Sequence, residues 1–305
     1  MKSEIPDELK ATVPLTLWGK VISATPIVMT VIATLLAGLA SSEMTKAQYD
    51  RSLATQQQSK AGDQWGFFQA KRLRSAIQLG TLDVVQSTSE HPIDASGLKS
   101  LAATLPNPVP VQAALTSLLA GRLPEQTAAP ALDPKIKAAL EGIESALPEV
   151  ELNPLLIAAK PELVAAAVRA AQEHARAFDA LLRPIVAGGD QLGDVLDPIG
   201  TGPRALIHDF TTLRLRYSSM RYDAEARLNQ TIANLYELQV RQSNLTAERH
   251  HLRSGRFFIG MLAAQAAVII ATFAIAARKR NLLWSLAATA GLGALSFAVY
   301  VFLFI

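Results

Sequence analysis

Three stretches without a charge constrain this chain more than any other feature. Residues 21–40 form a run of twenty uncharged residues, which as a helix rising 1.5 Å per residue is about 30 Å long, the thickness of a bilayer core. Residues 257–277 form a second run, and residues 282–305 a third. Only residues 278–281 separate the last two, so a tight antiparallel hairpin is expected around Arg278, Lys279 and Arg280. Trp18 and Lys20 stand at the start of the first run as interfacial anchors. Pro26 falls in its second turn, where a membrane helix tolerates the lost hydrogen bond or kinks. Gly38-Leu39-Ala40 resembles a signal-peptide cleavage site, but the apolar run is long for a leader and the tail, residues 1–20, carries Glu4, Asp7 and Glu8. The expectation is three retained transmembrane helices and a lipid bilayer as partner.

Inside the runs the polar groups include Gln265, Thr272, Ser285, Thr289 and Ser296, with no Asp, Glu, Lys, Arg or His. Pumps and ion-coupled carriers usually place such groups in the membrane, so the pattern argues against them. Ala287 with Gly291, and Ala290 with Ala294, give the small-residue spacing that lets helices approach closely, and Gln265 is placed to hydrogen-bond across. Three cations in a four-residue hairpin are a stronger inside signal than cations flanking a long domain. The basic turn is therefore expected in the cytoplasm and the large domain on the periplasmic side of a bacterial inner membrane.

Proline draws the map of the rest. Thirteen of sixteen prolines lie between His91 and Arg204, and none lies in residues 41–87 or 204–256. Each proline-free arm, drawn as one helix, reaches roughly 70 to 75 Å. In the second arm Leu206, Phe210, Leu213, Tyr217, Met220 and Ala224 follow a heptad seam, which slips to a four-residue spacing at Leu228 and Ile232 before Leu235 and Leu238. In the first arm Phe67, Ala70, Ile77 and Val84 form a weaker stripe interrupted by Arg74. One arm leaves the membrane and the other returns, so an antiparallel, coiled-coil-like stalk is expected, continuous with the first two spans. The fold class is all-α.

Residues 88–203 read as a head of short helices with Pro-marked turns. This region holds 8 Lys/Arg against 14 Asp/Glu, whereas the two arms together hold 15 against 9. A net charge of +3 split this way does not give the concentrated cationic face that nucleic-acid binding requires. Asp133-Pro134 and Asn153-Pro154 are helix-start signals. Pro161 opens the longest helix, with Leu163, Ala167, Ala170, His174, Phe178, Leu181 and Ile185 on one stripe and Gly188-Gly189 as its end. His174 reads as a hydrogen-bonded packing residue. Residues 106–111, PNPVPV, read as a linker, with polyproline docking on a partner as the rival reading.

Chemistry is hard to find. The chain has no cysteine, which excludes disulfides, thiolate catalysis and Cys-ligated metals. It lacks the phosphate-loop, dinucleotide, zinc-protease and serine-hydrolase motifs. Arg214, Arg216 and Arg221 with Tyr217 and Tyr222 have the composition of a strand clamp, but Tyr217 belongs to the seam and a solvated helix face is the plainer reading. His250 and His251 project about 100° apart on a helix, so they do not chelate one metal well. Arg249, Arg253 and Arg256 beside them read as a boundary meeting lipid phosphates, with Gly255 as a flexure point. No enzyme activity, cofactor or metal is expected.

The motif Asp63-Gln64-Trp65-Gly66-Phe67-Phe68-Gln69-Ala70-Lys71 carries a family resemblance, as do Glu248, His250, His251 and Arg256 leading to Gln265 and the basic turn before Leu283-Trp284. With the N-terminal span, this layout resembles the uncharacterised bacterial membrane proteins of domain of unknown function 4337. The resemblance spans the two arms and three spans, leaves the head as an insertion, and implies no activity. Trp65, Phe67 and Phe68 are too close in sequence to share one helix face, so they are expected to wedge helices together in a homo-oligomer, with one of them exposed for a partner as the rival reading. Two functions follow as expectations: an oligomeric scaffold with a possible protein partner at the head, or a pore lined by Ser285, Thr289 and Ser296.

Overall fold

The computed structural model describes residues 17–88, 92–105, 108–126, 128–196, 203–276 and 280–304. Among the described residues there are eight helices and no strand. Helix α1 (Leu17–Ser87) takes in the first uncharged run and the first arm without a break, and α7 (Arg204–Ala276) does the same for the second arm and second run. Gly255 does not interrupt α7. Helix α8 (Arg280–Phe304) holds the third run. Between the long helices lie α2 (Ala95–Ala103), α3 (Pro108–Ala120), α4 (Pro134–Glu144), α5 (Glu149–Ala158) and α6 (Pro161–Leu196). Contacts divide the chain into two compact units, Met1–Leu53 with Ser243–Ile305, and Ala54–Gln242.

The first unit packs the apolar parts of α1 and α7 with α8. Its core is made of small and medium side chains: Ala33, Leu36 and Ala40 from α1, Phe257 and Ala264 from α7, Ala294 and Val301 from α8. Small residues fit because lipid supplies no hydrophobic drive between helices, so close van der Waals approach has to supply it. Gly291 lies so near Met29 that a Cβ there would meet the thioether. Ala287, Gly291 and Ala294 are buried on this face, while Ala290 is half-buried. A polar link between α8 and α1 is Trp284 Nε1 donating to Thr25 Oγ1 at 2.9 Å. Gln265 does not supply one: it is exposed, beside Thr30 and Thr34 in an open groove, and makes no hydrogen bond across helices among the described residues. Its position falls one turn face away from the buried Ala264 and Ala267.

The second unit is organised on the α7 segment 204–242. Phe210, Leu213 and Tyr217 are buried in one apolar core with Leu98 and Ala102 of α2, Val111, Leu115 and Leu118 of α3, and Phe178, Leu182 and Leu192 of α6. The heptad seam read from the second arm is therefore covered by the head helices. The first-arm stripe also needs correction: Phe67, Ile77 and Val84 are 54%, 55% and 64% exposed. The side of α1 that meets α7 holds Ala54, Ala61, Phe68, Ser75 and Leu82, again at heptad spacing but mixed in polarity. The pairing is antiparallel, since Trp65, Lys71, Ser75 and Val85 meet Glu237, Glu225, Ser219 and His208 in reverse order.

Local signals explain most helix starts. Asp94 caps α2 by accepting from Ser96 and Gly97 amides at 3.1 and 3.0 Å, and Asp133 caps α4 through Lys135 at 2.8 Å with Pro134 following. Asn153-Pro154 is not a start: α5 begins at Glu149, where two acidic residues favour the positive end of the helix, and Pro154 lies inside it. Pro108 opens α3, so the later part of residues 106–111 is helical instead of a linker, while Pro106 and Asn107 lie outside the described residues. The head is not built of short helices alone. Helix α6 has 36 residues and runs through Gly188-Gly189 to Leu196. Those glycines serve close packing and not termination, because a Cβ at Gly188 would lie 2.7 Å from the Pro110 carbonyl oxygen of α3. The buried face of α6 is Val164, Val168, Ala171, Phe178 and Leu182, one residue round from the expected stripe, and Leu163 and Leu181 are exposed.

Candidate functional site

The seam between α1 and α7 gathers many of the residues that the sequence singles out. Within the second unit Trp65 Nε1 donates to Glu237 Oε1 at 2.7 Å, and its ring meets Phe68 edge-on at 5.3 Å. Ser75 Oγ donates to the Ser219 carbonyl at 2.9 Å, and Lys71 and Arg72 pair with Glu225 and Asp223. His208 Nε2 lies 3.2 Å from the Val85 carbonyl. Trp65 and Phe68 thus pack at the seam. Phe67 is 54% exposed on α1, away from the buried positions Ala61 and Ser75.

Within the first unit the arginine and histidine cluster divides. His250 turns inward, with Nδ1 2.5 Å from Glu43 Oε2 and Nε2 3.9 Å from Asp50 Oδ2. His251 is exposed, as the 100° step between neighbours requires. Glu43 also accepts from Lys46 at 2.7 Å. Burial works to raise the Glu43 pKa, but the hydrogen bonds from Lys46 and His250 outweigh it and hold the carboxyl below its ordinary value. Ser254 Oγ donates to the Ala40 carbonyl at 2.7 Å. The Glu43–His250 pair was missed by sequence reasoning, which looked for partners of His250 on its own helix.

Lys20 and Arg249 are exposed, while Arg253 and Arg256 are half-buried. Arg253 Nε is buried without a hydrogen-bond partner. Arg278 and Lys279, with the side chains of Trp18 and Arg280, lie outside the described residues.

Among the described residues three helices are long and apolar enough to cross a membrane. Residues 18–104 match the family model of a domain of unknown function, DUF4337. The match holds the Asp63–Lys71 motif and helices α1 and α2, and it is narrower than the resemblance read from sequence, which extended through the second arm and the last two spans. The DUF4337 segment therefore supplies one side of the seam, Trp65, Lys71 and Ser75, whose partners on α7 lie outside it. Comparison with curated proteins and with solved structures gave no match.

Proposed function

We propose that this chain is an integral membrane protein that acts as a non-enzymatic, homo-oligomeric scaffold and carries region 54–242 outside the bilayer. The observation that carries the reading is the exposed stripe Phe67, Ala70, Arg74, Ile77, Thr81 and Val84 on α1. Its spacings of 3, 4, 3, 4 and 3 are those of a coiled-coil seam, and the side of α1 toward α7 is already occupied. Exposed apolar residues in a row mark protein contact. The occupant is the same stripe on a second copy, with further protein partners at the acidic region 88–203. The expected location is a bacterial inner membrane, basic turn in the cytoplasm and region 54–242 in the periplasm, because Arg278, Lys279 and Arg280 crowd a short loop.

Light scattering of the full chain in detergent tests the assembly: an oligomer is expected for the wild type and a smaller species for Ile77→Asp with Val84→Asp. A wild-type monomer sinks the scaffold reading. The chain lacks cysteine, so single cysteines at positions 279 and 251 report topology directly, and labelling of position 279 from the outer face overturns the orientation.

A second reading, an oligomeric channel, draws on Ser285, Thr289 and Ser296, which stay exposed on α8 away from Ala287, Gly291 and Ala294. Conductance of purified protein in planar bilayers, lost in Thr289→Leu, favours it over a scaffold.

A further inference from the structure

In the second unit, a cleft of about 270 Å³ lies between α6 and α7, lined by Gln78, Asp190, Arg214, Tyr217, Ser218 and Arg221 among others. We propose that it binds a small oxyanion of the phosphate type, with Arg214 and Arg221 supplying charge and Tyr217 and Ser218 supplying hydroxyl donors.

Tyr217 carries the inference. The residue is 4% exposed, yet its hydroxyl has no hydrogen-bond partner. Buried polar groups are almost always satisfied, so an orphaned phenol in a residue that lines the cleft points to an acceptor that the described residues do not provide. Burial pushes the phenol up to about 12, with Arg221 working the other way, so it stays a donor throughout the physiological range. Arg221 repeats the pattern: its Nε is buried without a hydrogen bond and stands 3.4 Å from Glu225, which is already paired with Lys71. Its guanidinium lies over the Tyr222 ring at 4.5 Å, which fixes the plane of the remaining donors.

The charge balance selects an anion. Arg214 and Arg221 meet Asp190 in the cleft wall, with Glu225 behind Arg221 at 3.4 Å, so the surplus positive charge comes from the lysine and arginine that flank them. Lys71 and Arg74 stand 5.2 and 5.9 Å from the Tyr222 ring and add positive potential behind it. The volume falls slightly below the usual small-ligand range of about 300–1,000 Å³, which leaves room for a phosphate group. The residues also explain why "RLRYSSMRYD" mixes Arg with Tyr, since successive turns of α7 bring Arg214, Tyr217 and Arg221 to one cleft.

Calorimetric titration and thermal unfolding of the full chain in detergent test the site, with inorganic phosphate and glycerol 3-phosphate as probes against sodium chloride at matched ionic strength. Saturable binding of either phosphate, weakened about tenfold or more in Tyr217→Phe and abolished in Arg221→Gln, is the expected result. Stronger binding of the ester assigns the site to a headgroup or metabolite, and stronger binding of the free ion assigns it to phosphate itself. Tyr217→Phe keeps the ring and removes a hydroxyl that bonds nothing, so the variant folds and its unliganded melting temperature is unchanged or higher. Absence of binding by both probes, or binding unchanged in Tyr217→Phe and Arg214→Gln, overturns the proposal.

Discussion

Helix α7 presents two kinds of surface in the second unit. Toward α2, α3 and α6 it offers Phe210, Leu213 and Tyr217 to an apolar core. Toward α1 it offers Ser219, Asp223, Glu225 and Glu237, which take Ser75, Arg72, Lys71 and Trp65. The first contact is strong and undirected, since burying each large side chain is worth about 1.5–3 kcal/mol and any neighbouring apolar surface serves. The second is weak and directed, because each hydrogen bond contributes only about 0.5–1.5 kcal/mol net but demands a particular partner. The apolar side accordingly holds the helices together, and the polar side fixes which residue of α1 stands opposite which residue of α7.

The sharpest way to break this division is Phe210→Ala. Loss of a ring buried between three helices is expected to cost about 3–5 kcal/mol, read from urea unfolding of the full chain in detergent. Gly188→Ala attacks the same core by overpacking, since its Cβ would sit 2.7 Å from the Pro110 oxygen. A loss of about 1–3 kcal/mol is expected, and a gain in helix stability instead would show that α3 simply moves away. On the polar side Ser75→Ala removes one buried hydrogen bond to Ser219 and is expected to cost about 0.5–1.5 kcal/mol. If it matched Phe210→Ala, the proposed division between the two surfaces would be wrong.

The pH dependence at Glu43 gives the smallest effect. Its folded pKa lies below the ordinary 4.5, so its contribution is complete above that value and is lost as pH falls through the depressed one. The difference in melting temperature between wild type and Glu43→Gln should be largest near neutral pH and shrink below about pH 4.5. A difference that grows on acidification contradicts the pairing with Lys46 and His250.

Long proline-free and charge-free stretches were legible because they are one-dimensional: each is a run of residues whose meaning does not depend on what lies beside it. The continuity of α1 and α7, the caps at Asp133 and Pro134, and the small residues Ala287 and Gly291 all read directly. The assignments that failed needed a neighbour. Gly188-Gly189 looks like a helix end until α3 is brought against it. Leu163 and Leu181 share a stripe with Phe178, yet the covering helices sit one residue round. Gln265 makes no hydrogen bond across helices among the described residues, and Phe67 lies exposed on α1. The cleft at Tyr217 was invisible for the same reason, because its seam spacing announced burial and gave no sign that the residue also lines a cleft with its hydroxyl unsatisfied.

The sequence by itself determined that the chain is helical, where its longest helices run, and that three of them are apolar enough for a bilayer, since propensity, proline placement and charge act locally along the backbone. Tertiary structure alone decided which stripe of α7 meets the head and which meets α1, that His250 belongs to Glu43, and that Tyr217 and Arg221 share a cleft. Heptad spacing states that a face will be covered; only the competition among apolar, polar and small surfaces in three dimensions selects what covers it.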